Sequence, residues 1–403
     1  MLLPFPATAH APGARPTSRR TALCLSVLAC LMALGGCSST PQVPPPAPVV
    51  SIAIPADNDA TPAVAQAITP RLSPQALPLP VSPLPNSYAF REDARALATK
   101  LAQQQQLDEQ WVRSVLAQAQ VSDAVAKLIM PAASPAAKNW ALYRSRFIEP
   151  LRIRAGVNFW RTHEATLRRA QDTYGVPMEV IAGVIGVETI YGRNTGNFRV
   201  LDALSTLSLD FPKGRSDRSA FFQEELGQFL RLCAEQRDDP TTVLGSYAGA
   251  IGLPQFMPSS IRRLAVDFDG DGHIDLRNSP ADAIGSVAHY LARSGWRKDL
   301  PTHYAVIPPK DESALGTLLA PDILPTFTAP QMQQYGALLD APGQSHEGKL
   351  ALVLLYNADA APTYVAGTDN FYAITRYNQS SYYALAVIEL GQAVAQAVRG
   401  SNN

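Results

Sequence analysis

The chain has 403 residues, 46% of them hydrophobic, and its 34 Lys and Arg are balanced by 34 Asp and Glu. That length allows one large or two ordinary domains with a core of useful size. A formal net charge of zero gives no electrostatic argument for nucleic acid or for an anionic lipid surface.

The first segment reads as an address rather than a fold. Arg15, Arg19 and Arg20 precede an apolar run from Thr21 to Leu34, which is too short to span a bilayer. The run ends in Leu34-Gly35-Gly36-Cys37-Ser38. Small residues before a cysteine resemble a bacterial lipoprotein signal, in which residues 1–36 are removed and Cys37 is lipidated. A plain secretory signal that happens to contain a cysteine is the alternative. Ser38 in place of an aspartate favours the outer membrane, by resemblance to lipoprotein sorting. The expected location is the periplasmic face of that membrane, lipid-anchored through Cys37, with a soluble periplasmic protein as the alternative. Cysteine usage agrees. Cys24 and Cys30 leave with the signal, Cys37 is acylated, and Cys233 is left without a partner, so no disulfide framework is expected. Cys233 reads as a packed helical thiol.

Residues 37–86 are a tether. Thirteen of the 34 prolines fall between Pro41 and Pro85, with Ala and Val around them, and such a stretch sustains neither helix nor sheet. The body is 87–403, read as a helical part (87–175), a core (176–300) and a C-terminal part (301–403) that completes the site.

Helical periodicity opens the body. Glu92–Gln105 puts Ala94, Leu97 and Leu101 on one face, and Leu107–Gln118 repeats the pattern. Ser122 caps a short third helix that stops at Pro131. Trp140–Arg146 is aromatic and basic. Val157–Tyr174 reads as one helix, broken by Gly175, and Pro177 opens the next. After a short helix at Leu201–Leu207 comes a clear one, Ala220–Glu235. Gly245–Pro258 is a Gly- and Ala-rich loop, and Ser259 or Ser260 caps a helix running to Val266. Ala281–Ser294 is amphipathic. Pro301–Phe327 reads as irregular, with a short strand at Tyr304–Ile307, and Leu350–Leu355 is a second candidate strand. Ser380 caps a last helix, Tyr382–Val398. The fold class is mainly α with a minor β component.

Three features carry chemistry. The first is Glu188, which ends an almost unbroken apolar run beginning at Val180. A carboxylate on a core helix is poorly solvated, so its pKa rises toward that of a general acid. A helix-end carboxylate whose head reaches water fits the same run. The second is Asp267-Phe268-Asp269-Gly270-Asp271-Gly272-His273-Ile274-Asp275. Its oxygen donors stand at loop positions 1, 3 and 5 with glycine at 6, the EF-hand pattern for a hard cation such as Ca²⁺. Position 12 is Asn278 rather than glutamate, and Asp282 can close an enlarged loop over 267–282. A solvated acidic turn is the alternative. The third is a set of rings and amides, Tyr143, Tyr247, Phe256, Tyr290 and Tyr377-Asn378, which suits sugar recognition if the rings share a pocket. Taken singly, such rings are ordinary core.

Several stretches in one order resemble the membrane-bound lytic murein transglycosylases of the B type. They are Tyr174-Gly175-Val176-Pro177, Gly186-Val187-Glu188-Thr189, Leu201-Asp202-Ala203-Leu204, Gly245–Ala250, Gln255–Ser260, the calcium-type loop and Tyr377-Asn378. The resemblance runs from about Phe90 to the C-terminus. It implies a lysozyme-like catalytic domain that cleaves the β-1,4 bond between N-acetylmuramic acid (MurNAc) and N-acetylglucosamine (GlcNAc) in peptidoglycan. Glu188 matches the family's single catalytic acid, Ser246 a serine near it, and Gln255 a residue that binds an N-acetyl group. Tyr143, Phe256, Tyr290, Tyr377 and Asn378 match positions that line the sugar groove. Asp267, Asp269, Asp271, His273 (through its carbonyl) and Asp282 match calcium ligands, a structural cofactor. No redox or nucleotide cofactor is implied. The family's compact basic pair and Tyr-Phe are replaced by Lys213, Arg215 and Arg218 on a longer loop followed by Phe221-Phe222, and Arg218 is the candidate substrate contact there.

Glycosidases usually employ two carboxylates. No second acid stands in an equally apolar setting; Asp202 and Asp210 are the nearest candidates, and both read as cap or turn residues. One acid suffices if the substrate's own 6-hydroxyl attacks C1, giving a 1,6-anhydro product. A water-using muramidase and a non-catalytic, calcium-stabilised peptidoglycan-binding lipoprotein are the alternatives. The expected partners are peptidoglycan glycan strands and, through the lipid, a membrane, with no nucleic acid. The residues name no protein partner in cell-wall synthesis or division.

Overall fold

The computed structural model describes residues 86–130, 138–214 and 216–400. The leader, Cys37, the tether and Arg215 lie outside them.

Local chemistry accounts for most helix ends. The first helix, α1 (Glu92–Gln105), has Glu92 and Asp93 in its first turn, where negative charge meets the positive end of the helix dipole. Asp108 caps α2 (Glu109–Leu116), Ser122 caps α3 (Asp123–Leu128) and Asn139 caps α4 (Trp140–Ser145), each by accepting the backbone N–H three residues on. The single helix expected over Val157–Tyr174 is two helices, α5 (Pro150–Thr162) and α6 (Glu164–Tyr174), joined at His163. Apolar periodicity does not register a one-residue break when both helices face the same core. The earlier start comes from Glu149, whose carboxylate accepts from Leu151 and Arg152 N–H while Pro150 sits where no N–H is needed.

Helix α7 (Met178–Thr189) carries Glu188, and every residue from Val180 to Thr189 is buried. A helix apolar on all sides belongs in the centre of a protein. Next come β1 (Phe198–Arg199), α8 (Val200–Leu209), α9 (Ser219–Gln236) and β2 (Leu244–Gly245), and β2 pairs with β1. Helix α10 (Pro258–Leu264) starts at its proline rather than behind a serine cap. Ser259 is engaged elsewhere, donating its N–H and its hydroxyl to the buried Glu225 carboxylate at 2.9 and 2.6 Å. Helix α11 (Pro280–Arg293) is capped by Ser279.

The C-terminal part is more ordered than its sequence suggests. It holds β3 (His303–Ile307), α12 (Glu312–Leu319), α13 (Ala329–Gln334), β4 (Leu338–Leu339), α14 (Ala341–Gln344), β5 (Ala351–Asn357) and β6 (Ala360–Gly367). The four strands form one antiparallel sheet in the order β4-β3-β6-β5, with Val353 opposite Val365. Strand β6 escapes a propensity reading because it opens Ala-Ala-Pro-Thr, and its pairing with β5 and β3 on either side makes it a strand. Helices α15 (Asp369–Thr375) and α16 (Ser381–Gly400) end the described chain. Ser380 performs its expected role, its Oγ accepting from Tyr383 N–H.

Buried apolar side chains form three clusters. One centres on α5, α6, α7, α11, α15 and α16, a second on α1, α2, α3, α8, α9 and α10, and a small third lines the sheet. Cys233 is buried in the second, as expected of a packed thiol. Tyr290 and Tyr377 pack against both large clusters, so they mark the boundary between them. The fold is mainly α.

The contact that places the site is α7 against α16. A methyl built on Gly183 would lie 2.3 Å from Val387 O, and one on Gly391 would lie 2.0 Å from Glu179 O. The two backbones therefore touch where glycine leaves room. Positions 179, 183 and 188 face 391, 387 and 383 in turn, so the helices run antiparallel and residue 383 is delivered to Glu188.

Candidate active site

Glu188 lies in the last turn of α7, 7% exposed. One side-chain hydrogen bond reaches its carboxylate, from Tyr383 Oη to Oε1 at 2.7 Å. Burial pushes its pKa up to about 7, and the Tyr383 hydrogen bond, which favours the charged form, pulls against that rise. No second carboxylate among the described residues contributes to this shift. The helix-end alternative, with the head in water, is not what the fold provides.

The rings gather around this acid. Tyr377 stacks on Tyr383, with centroids 6.1 Å apart and planes at 16°. It also packs against Tyr290 at 4.7 Å and Phe256 at 5.6 Å, and Phe256 meets Tyr290 at 5.4 Å. Tyr377 donates its hydroxyl to Pro254 O, and Tyr290 donates to Arg376 O at 2.7 Å. Tyr143 joins from α4, 5.7 Å from Tyr382 and 5.0 Å from Phe147, and close enough to Tyr383 to act on it electrostatically. Burial raises the Tyr377 and Tyr383 phenols well above their ordinary range, so both stay protonated. Asn378 follows in the turn into α16, half-buried, its carbonyl accepting from Ser380 N–H at 2.6 Å.

The Gly245–Pro258 loop spans both large clusters, with Ala248, Ile251 and Phe256 in the second and Leu253 in the first, and it forms a second wall of the site through the Tyr377 bond to Pro254. Ser246 is buried in a tight turn, and its Oγ accepts from Ala250 N–H at 3.0 Å. Gln255 adopts a left-handed backbone, with φ at 51°. Its Nε2 donates to Thr195 O at 3.0 Å and to Gly252 O at 2.9 Å. Both partners are carbonyls, so the amide orientation is fixed chemically and Oε1 is the acceptor end. Tyr247 stands edge-on to Phe198. Arg218 lies on the rings of Phe221 and Phe222, at 4.6 and 5.7 Å.

Two residues at this site carry no motif signal. Tyr383 was legible only as the second residue of a helix. Arg152 is a buried arginine on α5 that donates to Gly186 O at 2.6 Å and to Val187 O at 3.3 Å. It supplies donors and positive charge to the C-terminal end of the helix bearing Glu188, where carbonyls lack partners. The second acids considered from sequence are engaged elsewhere. Asp210 pairs with Arg91 at 2.7 Å and accepts from Tyr88, while Asp202 accepts from Gln120 N–H and faces Arg199.

The acidic loop lies apart from Glu188, between α10 and α11. Carboxylate oxygens of Asp267, Asp269 and Asp282 lie within 4.8 Å of one another. Asp282, 1% exposed, accepts from Phe268 N–H at 2.7 Å through Oδ1 and from Asp275 N–H at 2.8 Å through Oδ2. Asp267 accepts from Gly270 and Gly272 N–H, and the Gly272 bond is the main cause that holds its carboxyl below its usual range. Asp271 is not in this trio, its carboxylate accepting instead from His273 N–H at 2.8 Å. Among the described residues no ion pair neutralises Asp267, Asp269 or Asp282, although Asp275 beside them faces Arg277. Three hard oxygen ligands with uncompensated charge fit Ca²⁺.

Comparison with known proteins adds an independent line. Residues 89–392 match the Transglycosylase SLT domain family. The chain belongs to that family. Membrane-bound lytic murein transglycosylase B of Escherichia coli K12 is 40% identical over 319 residues, 77% of this chain and 84% of that protein. The Escherichia coli lytic transglycosylase Slt35, solved in complex with calcium, shares 38% identity and superposes with a TM-score of 0.67, covering 78% of this chain and 96% of that one. SltB3 from Pseudomonas aeruginosa, solved with a NAG-NAM-pentapeptide, shares 28% identity with a TM-score of 0.62, over 77% and 80% of the two chains. The family resemblance drawn from the motifs is thereby met, as is the lysozyme-like, mainly helical class. No helix among the described residues is long and apolar enough to cross a membrane.

Proposed function

We propose a specific chemistry for this lytic transglycosylase, in which one carboxyl serves as both acid and base on a peptidoglycan glycan strand. The observation that carries it is Glu188, buried, bonded to a phenol alone and raised to about 7. Near neutrality such a group is present in both protonation states. Tyr383 occupies Oε1, which leaves Oε2 to exchange the proton.

Glu188-COOH gives its proton to the glycosidic oxygen as the C1–O bond of MurNAc breaks. The muramyl 2-acetamido carbonyl stabilises the electron-poor C1. Glu188-COO⁻ then takes the proton of the sugar's 6-hydroxyl while O6 bonds to C1 and displaces the acetamido oxygen. The product is a 1,6-anhydro ring, the acid is regenerated, and no water is consumed. Tyr383 donates to the carboxylate in the interval when it is charged. Gln255 Oε1 accepts an N-acetyl N–H, and Ser246 keeps its O–H to donate near the acid. Phe256, Tyr290, Tyr377 and Tyr143 offer ring faces to sugar C–H surfaces, with Asn378 beside them. Arg218 contacts outer sugars or the peptide stem.

Ca²⁺ would be held by Asp267, Asp269 and Asp282, with Asp271 and the His273 carbonyl as further ligands, and it would supply structural charge neutralisation. Cys37 carries the lipid at the periplasmic face of the outer membrane, and residues 37–86 let the body reach the wall.

Product ends test the chemistry. Digests of purified murein analysed by mass spectrometry should show 1,6-anhydromuramyl ends. Reducing muramic acid ends would make the protein a hydrolase, and an undigested sacculus would make it a binding protein.

A further inference from the structure

The chain makes an unusual turn directly after the acid. Ile190, Tyr191 and Gly192 follow one another in the left-handed region, with φ of 53°, 57° and 86°. A β-branched isoleucine at positive φ is a steric outlier and a tyrosine there is uncommon, so the pair persists only when its surroundings hold it, while Gly192 adopts its φ freely. The holding group is Thr189, which is fully buried. Its Oγ1 accepts from Gly192 N–H at 3.0 Å, and its backbone carbonyl accepts from Asn194 N–H at 2.9 Å. The same hydroxyl donates across to Leu253 O at 2.9 Å, with Ile185 O a weaker second acceptor at 3.3 Å.

Leu253 belongs to the Gly245–Pro258 loop, the second wall of the site. The next residue, Pro254, takes the Tyr377 hydroxyl, and the one after is Gln255. Leu253 N–H donates to Leu276 O at 2.8 Å, so the wall is anchored from behind. One hydroxyl therefore closes a strained turn on the helix of Glu188 and joins it to the segment of Gln255 and Phe256. Val would fill the same space without the hydroxyl and leave the buried Leu253 carbonyl and the part-buried Gly192 N–H without this partner.

We infer that Thr189 is a positioning residue: its hydroxyl fixes the Glu188 carboxyl against the Gln255–Phe256 wall at the distance that proton transfer needs. This inference rests on the acid–base reading of Glu188. A group acting this way lowers kcat when removed and leaves KM nearly unchanged, because the sugar-binding surfaces persist while the proton path is misaligned.

The test uses the full chain on isolated uncrosslinked glycan strands, with Thr189→Val, Thr189→Ala, Thr189→Ser and Glu188→Gln measured together and folding checked by thermal melts. Thr189→Ala covers the case in which Val does not fold, since water can enter the smaller site. The expected result is a kcat at least about tenfold lower for Val and Ala, KM within about twofold, and Ser within about threefold of the parent. A kcat loss under about fivefold in a folded Val or Ala protein, whatever its melting temperature, would overturn the inference, because the hydroxyl would then be structural. So would an equal loss in Ser, or a loss that resides in KM. Turnover retained by Glu188→Gln would instead remove the acid–base reading, and this inference with it. An inactive Glu188→Gln beside an unimpaired Thr189→Val would remove only this inference.

Discussion

Glu188 and Asp282 are both buried carboxylates at the edge of a core, but their company differs. Glu188 ends an apolar helix, receives one phenol hydrogen bond and faces no other acid. Asp282 opens a helix, accepts backbone N–H bonds on both oxygens and stands with Asp267 and Asp269. The first arrangement favours the neutral acid. The second uses both oxygens as acceptors, which suits a ligand for a cation; burial raises the Asp282 carboxyl as well, the Asp275 and Phe268 N–H bonds pull against that rise, and the neighbouring Asp269 adds to it. On the proposed reading, one functional group serves as a proton carrier in one place and as part of a cation cradle in the other, with burial common to both. What separates them is the supply of N–H donors and of like charge.

The contrast can be broken most sharply at Glu188 itself. Glu188→Gln should lower turnover by at least about 10³-fold with strand binding retained, measured by release of soluble muropeptides and by sedimentation with murein. Activity within about tenfold of the parent would end its role as the acid.

Tyr383→Phe should have the next largest effect. The phenol favours the charged carboxylate, so its loss raises the Glu188 pKa further, by about one unit, and costs about tenfold in kcat. Turnover requires the protonated acid and falls as pH rises past about 7 in the parent. In the variant that alkaline limb should move to higher pH, and an unmoved or lowered limb would show that the phenol does not act on the acid.

The loop should respond where Glu188 does not. Removing Ca²⁺ with a chelator should lower Tm by about 5 °C, and Asp282→Asn should lower Tm and abolish the chelator response. No shift with chelator in the parent would leave the loop a plain acidic turn.

The smallest effect is one of stability. Between pH 4.5 and about 7 the folded state holds a proton on Glu188 that the unfolded chain releases. Stability contributed by this group therefore falls as pH rises through that window and levels off above it. Glu188→Gln escapes the loss, so it should be about 2–3 kcal/mol more stable than the parent at pH 8 and near parity at pH 4.5. Equal gains at the two pH values in denaturant titrations would contradict a buried acid of this kind.

Much of this was legible without coordinates. The apolar run of Val180–Val187 announced a central helix, and the spacing of Asp267 and Asp269 announced an acidic turn whose carboxylates converge. Caps at Ser122 and Ser380 lay where their chemistry placed them. These signals are local, set by residues within a few positions of one another. The break at His163 and strand β6 were not legible, because neighbouring residues permit those conformations without requiring them.

The sequence by itself determined that Glu188 would be carried on an apolar helix, that rings and amides were available, and that the Asp267 loop had cation-binding spacing. Only the tertiary structure decided which groups meet. Tyr383 lies 195 positions from Glu188 and reaches it because α7 and α16 touch at Gly183 and Gly391. Asp282 rather than Asp271 completes the close trio because α11 presents it from behind the loop. Ser246 and Gln255 spend their hydrogen bonds on the backbone of Ala250, Thr195 and Gly252 rather than on the acid. Pairings of this kind depend on how helices pack, which is a property of the whole chain.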